Sequence, residues 1–239
     1  MRKRLSVLTS LMAGVGVALL SAGAASATGV ASAPPAIFLN GTDVTAGLDC
    51  VTTESTTSCA GQGLATDDFT LQQWDFNLNS DPSALVFFAL QNNTAVEQIY
   101  VISTTVPIVA QGPQVVIQGS ISGSVTDVNG DGASVLDDGS SMYSALIDGV
   151  NVATLLDPPQ SVTAGAGLSN TIGPAAFGPA LLAQAANSDI GLTIQFKLSP
   201  GDLVSFTSQF TINAIPEPGT LLLLGSGLIG MVTFGRRSS

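Results

Sequence analysis

From Pro34 to Ala214 the apolar residues come in short runs, often alternating and broken by turn residues, and that pattern points the body of the chain to β-structure. Leu192, Ile194, Phe196 and Leu198 alternate, Pro200-Gly201-Asp202 turns, and Val204, Phe206 and Phe210 to Ile212 return. Val116 to Thr126 alternates through Ile117, Ile121 and Val125. Ala84 to Leu90 is dense and apolar; Asn92-Asn93 then turns into Val96 to Ile108. Met142 to Ile147 and Val150 to Leu156 are joined by Asp148-Gly149, a hairpin dipeptide. Ala36 to Leu39 is a short run, and Phe69, Leu71, Phe76 and Leu78 mark a strand whose phase breaks around Trp74. Only Ala175 to Ala186 has a helical composition, and Pro179 interrupts it. Short strands with turns between them predict an all-β fold, a single antiparallel β-sandwich. The spacing is too uneven to favour a β-helix, and no solenoid period is present.

Charge restricts the partners. Of the six basic residues, Arg2, Lys3, Arg4, Arg236 and Arg237 sit at the two ends, and Lys197 alone lies in the body. The seventeen acids run from Asp43 to Glu217. Such a body cannot neutralise a run of phosphates, which argues against nucleic acid and against an anionic lipid surface. Divalent cations and neutral polysaccharide are compatible partners.

Both ends read as processing signals. Arg2, Lys3 and Arg4 precede the apolar stretch Leu5 to Leu20, and Ala25-Ser26-Ala27 is a small-x-small cleavage site. Residues 1–27 are therefore expected to be a secretory signal peptide, handled by signal peptidase and the general secretion machinery. Residues 28–214 form the secreted domain. In residues 215–239, Pro216-Glu217-Pro218 precedes an uncharged run from Gly219 to Gly235, which rises about 25 Å as a helix and is expected to span the inner membrane. Arg236 and Arg237 then stop translocation and leave the body outside. The two prolines fix φ and remove two N–H donors, so this peptide is extended, the form a protease or transpeptidase needs.

The order Pro216-Glu217-Pro218, apolar run, Arg236-Arg237 resembles the PEP-CTERM sorting signal. That resemblance implies recognition by an exosortase, a membrane-embedded transpeptidase-like enzyme of Gram-negative bacteria. It also implies removal of the tail after transient anchoring in the inner membrane, and a destination at the cell surface or in an exopolysaccharide-rich biofilm matrix. It covers about a tenth of the chain and gives an address, not an activity.

Cys50 and Cys59 enclose eight residues and are expected to form one disulfide in an exported chain. The segment from Asp127 to Asp138 matches a twelve-position calcium loop, with Asp127, Asn129 and Asp131 at positions 1, 3 and 5, Gly132 at 6, a carbonyl from Ala133 at 7 and Asp138 at 12. It resembles dockerin-type loops but has Val135 at position 9, Asp rather than Glu at 12, and strand patterns instead of helices on both sides. The alternative is a polar connection between strands, with Asn-Gly and Asp-Gly chosen for turn geometry. No catalytic residue is assigned. The chain has no histidine, so Ser-His and Cys-His pairs are excluded. A carboxylate pair such as Asp67 or Asp68 with Asp75 would serve a glycosidase, but nothing in the sequence selects one. Trp74 is a candidate sugar-stacking contact, although a lone Trp is more often a core or rim residue. Asn40-Gly41-Thr42 and Asn92-Asn93-Thr94 read as turns. The expectation is a non-catalytic surface or matrix protein, with a carbohydrate-binding module as the alternative and a polysaccharide hydrolase behind it.

Overall fold

The computed structural model describes residues 36–215. The expected signal peptide, the apolar run and Arg236-Arg237 lie outside the described residues. In chain order the strands are β1 (Ala36–Leu39), β2 (Thr42–Asp43), β3 (Cys50–Thr52), β4 (Thr56–Gly61), β5 (Leu64–Ala65), β6 (Phe69–Asn79), β7 (Ser83–Asn92) and β8 (Gln98–Pro107). They continue as β9 (Val115–Thr126), β10 (Ala133–Leu136), β11 (Tyr143–Ile147), β12 (Val150–Leu155), β13 (Ser161–Ala164), β14 (Ser169–Leu182), β15 (Asp189–Leu198) and β16 (Leu203–Ala214). A 3-10 turn at Thr45–Gly47 is the sole helical element among the described residues.

The strands form two antiparallel sheets packed face to face. One runs β12-β11-β15-β8-β1-β2, with β10 beside the end of β15 and β13 outside β10. The other runs β14-β9-β16-β7-β6-β4-β3, with β5 on β6. The alternation seen in the sequence becomes the inward face: Ile190, Leu192, Ile194, Phe196 and Leu198 of β15 are buried, as are Val204, Phe206, Phe210 and Ile212 of β16. Between the sheets Phe196 lies 5.2 Å from Phe206 and 6.2 Å from Phe88, ring centre to ring centre, and Tyr100 lies 5.8 Å from Phe196. Apolar contact in this pile drives the two faces together. Gly123 of β9 leaves room for it, since a Cβ there would stand 2.8 Å from the Phe206 ring.

Asp148 (φ 51°) and Gly149 (φ 73°) make the tight β11–β12 turn that their dipeptide predicts. The phase break near Trp74 is a register shift between Leu71 and Gln73. The one helical expectation, Ala175 to Ala186, is corrected: most of it lies in or beyond the edge strand β14. Pro174 and Pro179 sit there at register breaks, each after a glycine with positive φ. An edge strand tolerates the missing N–H groups, and bulged, proline-bearing edges resist pairing with other chains. Lys197, the only basic residue in 36–215, lies half-buried in β15 between Leu136 of β10 and Ile99 of β8.

Antiparallel connection gives the sandwich two ends. At one end lie the segments 92–98, 127–132, 165–168 and 199–202. At the other lie the loop 108–114, the segment 183–188, the Asp148-Gly149 turn and Ile215, where the described chain leaves β16. The loop and the segment are joined by Gln111 and Ala186, and Ile215 by its N–H to Gln114 O.

Candidate functional site

The first end holds the polar cluster. Asp127 follows β9, and its Oδ1 accepts the Gly130 N–H at 3.0 Å while Oδ2 accepts that of Gly167. Asn129 takes the Asp131 N–H on Oδ1 at 3.1 Å and donates from Nδ2 to Pro200 O at 2.9 Å. That bond draws the 199–202 turn against the loop. It also brings in Asp202, fully buried, whose Oδ1 accepts the Val128 N–H at 3.3 Å and whose Oδ2 accepts the Ser199 hydroxyl. One carboxylate oxygen from each of Asp127, Asp131 and Asp202 lies within 4.8 Å of the others.

The two buried members are pushed in opposite directions. The Gly167 N–H, foremost, holds the Asp127 carboxyl below its ordinary range against the effect of burial, and Gly130 and Gly132 add to it. Burial, foremost, pushes Asp202 up, and the neighbouring Asp127 charge adds to that, although Ser199 and Val128 donate to it. A cation between Asp127 and Asp202 would offset the repulsion between their charges. A hard cation such as calcium takes six to eight oxygens, so water or main-chain carbonyls would supply the rest.

The structure brings together Asp127 and Asp131 of the sequence-derived loop but not its last member. Strand β10 interrupts the twelve positions. Ala133 is its first residue and sits in the ladder opposite Ala164. Asp138 lies beyond that strand, where Oδ1 accepts the Ser140 N–H at 3.1 Å and Oδ2 the side-chain amide of Gln195. Asp202 takes the place expected of Asp138. No local spacing could reveal it, because the turn that carries it comes from far along the chain.

Asn92 was also missed. It is fully buried, and its Nδ2 donates to Val96 O at 2.9 Å and to Leu198 O and Ser199 O at 3.1 Å. Its Oδ1 accepts from the Thr94 N–H and hydroxyl at 2.9 and 2.8 Å. The Asn92-Asn93-Thr94 turn is thus clamped by its own first side chain.

The Trp74 reading is corrected. Trp74 is 4% exposed, its Nε1 donates to Leu48 O at 3.4 Å, and its ring covers Gly61; it offers no free face to a sugar. Asp75 points outward from β6, while Asp67 and Asp68 precede that strand. At about 3.3 Å per residue they stand about 20 Å from Asp75 along it, well beyond the roughly 5–9.5 Å of a glycosidase pair. Cys50 and Cys59 form the expected disulfide, directly across the β3–β4 ladder with Cα atoms 4.1 Å apart.

At the other end β16 runs to Ala214, opposite Val115, and Ile215 donates its N–H to Gln114 O at 3.3 Å. The next residue is Pro216. The family model of the PEP-CTERM protein-sorting motif matches residues 214–238. No curated protein matches the chain.

Proposed function

We propose that this PEP-CTERM protein, an exosortase substrate secreted and processed at the membrane to become a surface protein, serves there as a non-catalytic structural component associated with exopolysaccharide in the biofilm matrix. The sorting motif is the observation that carries this reading. Two features support the absence of catalysis. The chain has no histidine and both cysteines are joined. The lone tryptophan and both tyrosines, Trp74, Tyr100 and Tyr143, are all buried, which disfavours a module that binds sugars by stacking. In this reading Asp127, Asp131 and Asp202 take calcium as a weak stabilising ion, as suits an extracellular module.

The test is fractionation of the native host, with intact mass measured on the protein from each fraction. Recovery in the polysaccharide matrix, with mass ending near Pro216 to Pro218, is expected. Retention in the membrane with mass running through Ser239 would sink the matrix role. The calcium part is checked separately by melting the processed protein with and without millimolar calcium. A rise in melting temperature that Asp202→Asn abolishes is expected, and no rise in the wild type would remove calcium from the account.

A further inference from the structure

The sandwich delivers its sorting motif without a spacer. The motif match begins at residue 214, and Ala214 is still in the ladder with β9. The main chain is held up to Ile215 by Gln114 O. From Ile215 to the apolar run at Gly219 the chain can reach at most about 14 Å, little more than the width of one helix with its side chains. An enzyme that cuts in this gap has no room to hold the peptide away from the domain.

The rim of the exit is distinctive. It is built from 108–114 and 181–188, and neither segment contains a charged residue. Val109 is 59% and Leu181 61% exposed. Gly112 stands beside the exit, where a Cβ would lie 3.7 Å from Ile215 O. We propose that this rim, apolar at Val109 and Leu181 and bordered by the Asp148 carboxylate bound to Asn187 and Ser188, is a docking surface for the exosortase, which reads the end of the folded sandwich together with Pro-Glu-Pro. The inference concerns the sorting step and is independent of the polysaccharide and calcium readings. The competing route is peeling of the strand end. Residues 213 and 214 pair with β9 alone, because the ladder of β16 with β7 stops at Thr211.

The test follows tail removal on the full-length chain in its native host, by intact mass after a pulse of synthesis. Three variants are compared with wild type: Val109→Asp with Leu181→Asp, a six-residue Gly/Ser insertion between Ile215 and Pro216, and the two combined. Docking predicts that the charges slow removal at least fivefold at native spacing, that the insertion alone slows it comparably, and that the charges have no further effect in the inserted chain; an insertion that leaves the rate unchanged overturns the proposal. Charges without effect at native spacing overturn the proposal, as does an equal slowing in both backgrounds, which would report misfolding. Faster removal by the insertion alone would assign the slow step to peeling and overturn it too. If the charges release the chain from membranes of a strain lacking the exosortase, the rim contacts lipid and the proposal falls.

Discussion

The two ends of the sandwich are held in different ways. At the Asp127 end, side chains bind main chain: Asn92, Asp127, Asn129, Ser199 and Asp202 tie four connecting segments together, and two of the five, Asn92 and Asp202, are completely buried. At the tail end the joins are mostly main chain to main chain, through Gln111 with Ala186 and Gln114 with Ile215. Asp148 is the exception there, accepting the N–H groups of Asn187 and Ser188 at 3.0 and 2.7 Å. A buried polar network fixes geometry because each orphaned group is penalised.

The sharpest way to break this contrast is Asn92→Ala. It orphans the carbonyls of Val96, Leu198 and Ser199 and is expected to lower stability by about 3–4 kcal/mol in urea unfolding. A loss under about 1 kcal/mol would mean the far end is no better fixed than the near one. Reducing Cys50–Cys59, which belongs to neither end, closes a calibration: loop entropy predicts a loss of about 3 kcal/mol.

Asp148→Asn probes the tail end and is expected to be milder, about 1–2 kcal/mol after allowing for solvent screening. Its pH dependence has a definite sign. Burial opposes ionisation, but the N–H groups of Ser188, Asn187 and Asp189 and the Asn187 side chain prevail and bring the carboxyl from 3.8 down to about 2. Its contribution is therefore complete above about pH 4 and lost as pH falls towards 2. Wild type should lose its advantage over Asp148→Asn across that window in acid melts; a constant difference would contradict the assignment. The smallest change is a gain. Ser208 is buried with no partner for its hydroxyl, so Ser208→Ala should leave stability unchanged or raise it by up to about 1 kcal/mol.

The central strands were legible in the sequence because their inward positions are filled by large apolar residues at period two, as in β15 and β16. Strand β14 was not, because its exposed edge carries Gly, Pro and Ala, whose composition says little about conformation. Only pairing with β9 decides it. The Asp148-Gly149 turn and the disulfide were readable from local chemistry. The Asp127 cluster was half readable: Asp127 and Asp131 lie in one segment, whereas Asp202 and Asn92 join them through contacts between distant strands. Trp74 was left between core and contact because residue type marks a ring's ability to stack, while burial against Gly61 decides whether it is free to do so.

The solitary Lys197 has a consequence for survival outside the cell. A protease that cuts after basic residues needs an extended, accessible stretch around its target. Residues 36–215 offer it one such residue, half-buried in β15 and flanked by β8 and β10. No loop among the described residues presents another. Digestion by trypsin-like enzymes should therefore await global unfolding, giving the domain a lifetime set by its unfolding rate and not by its surface.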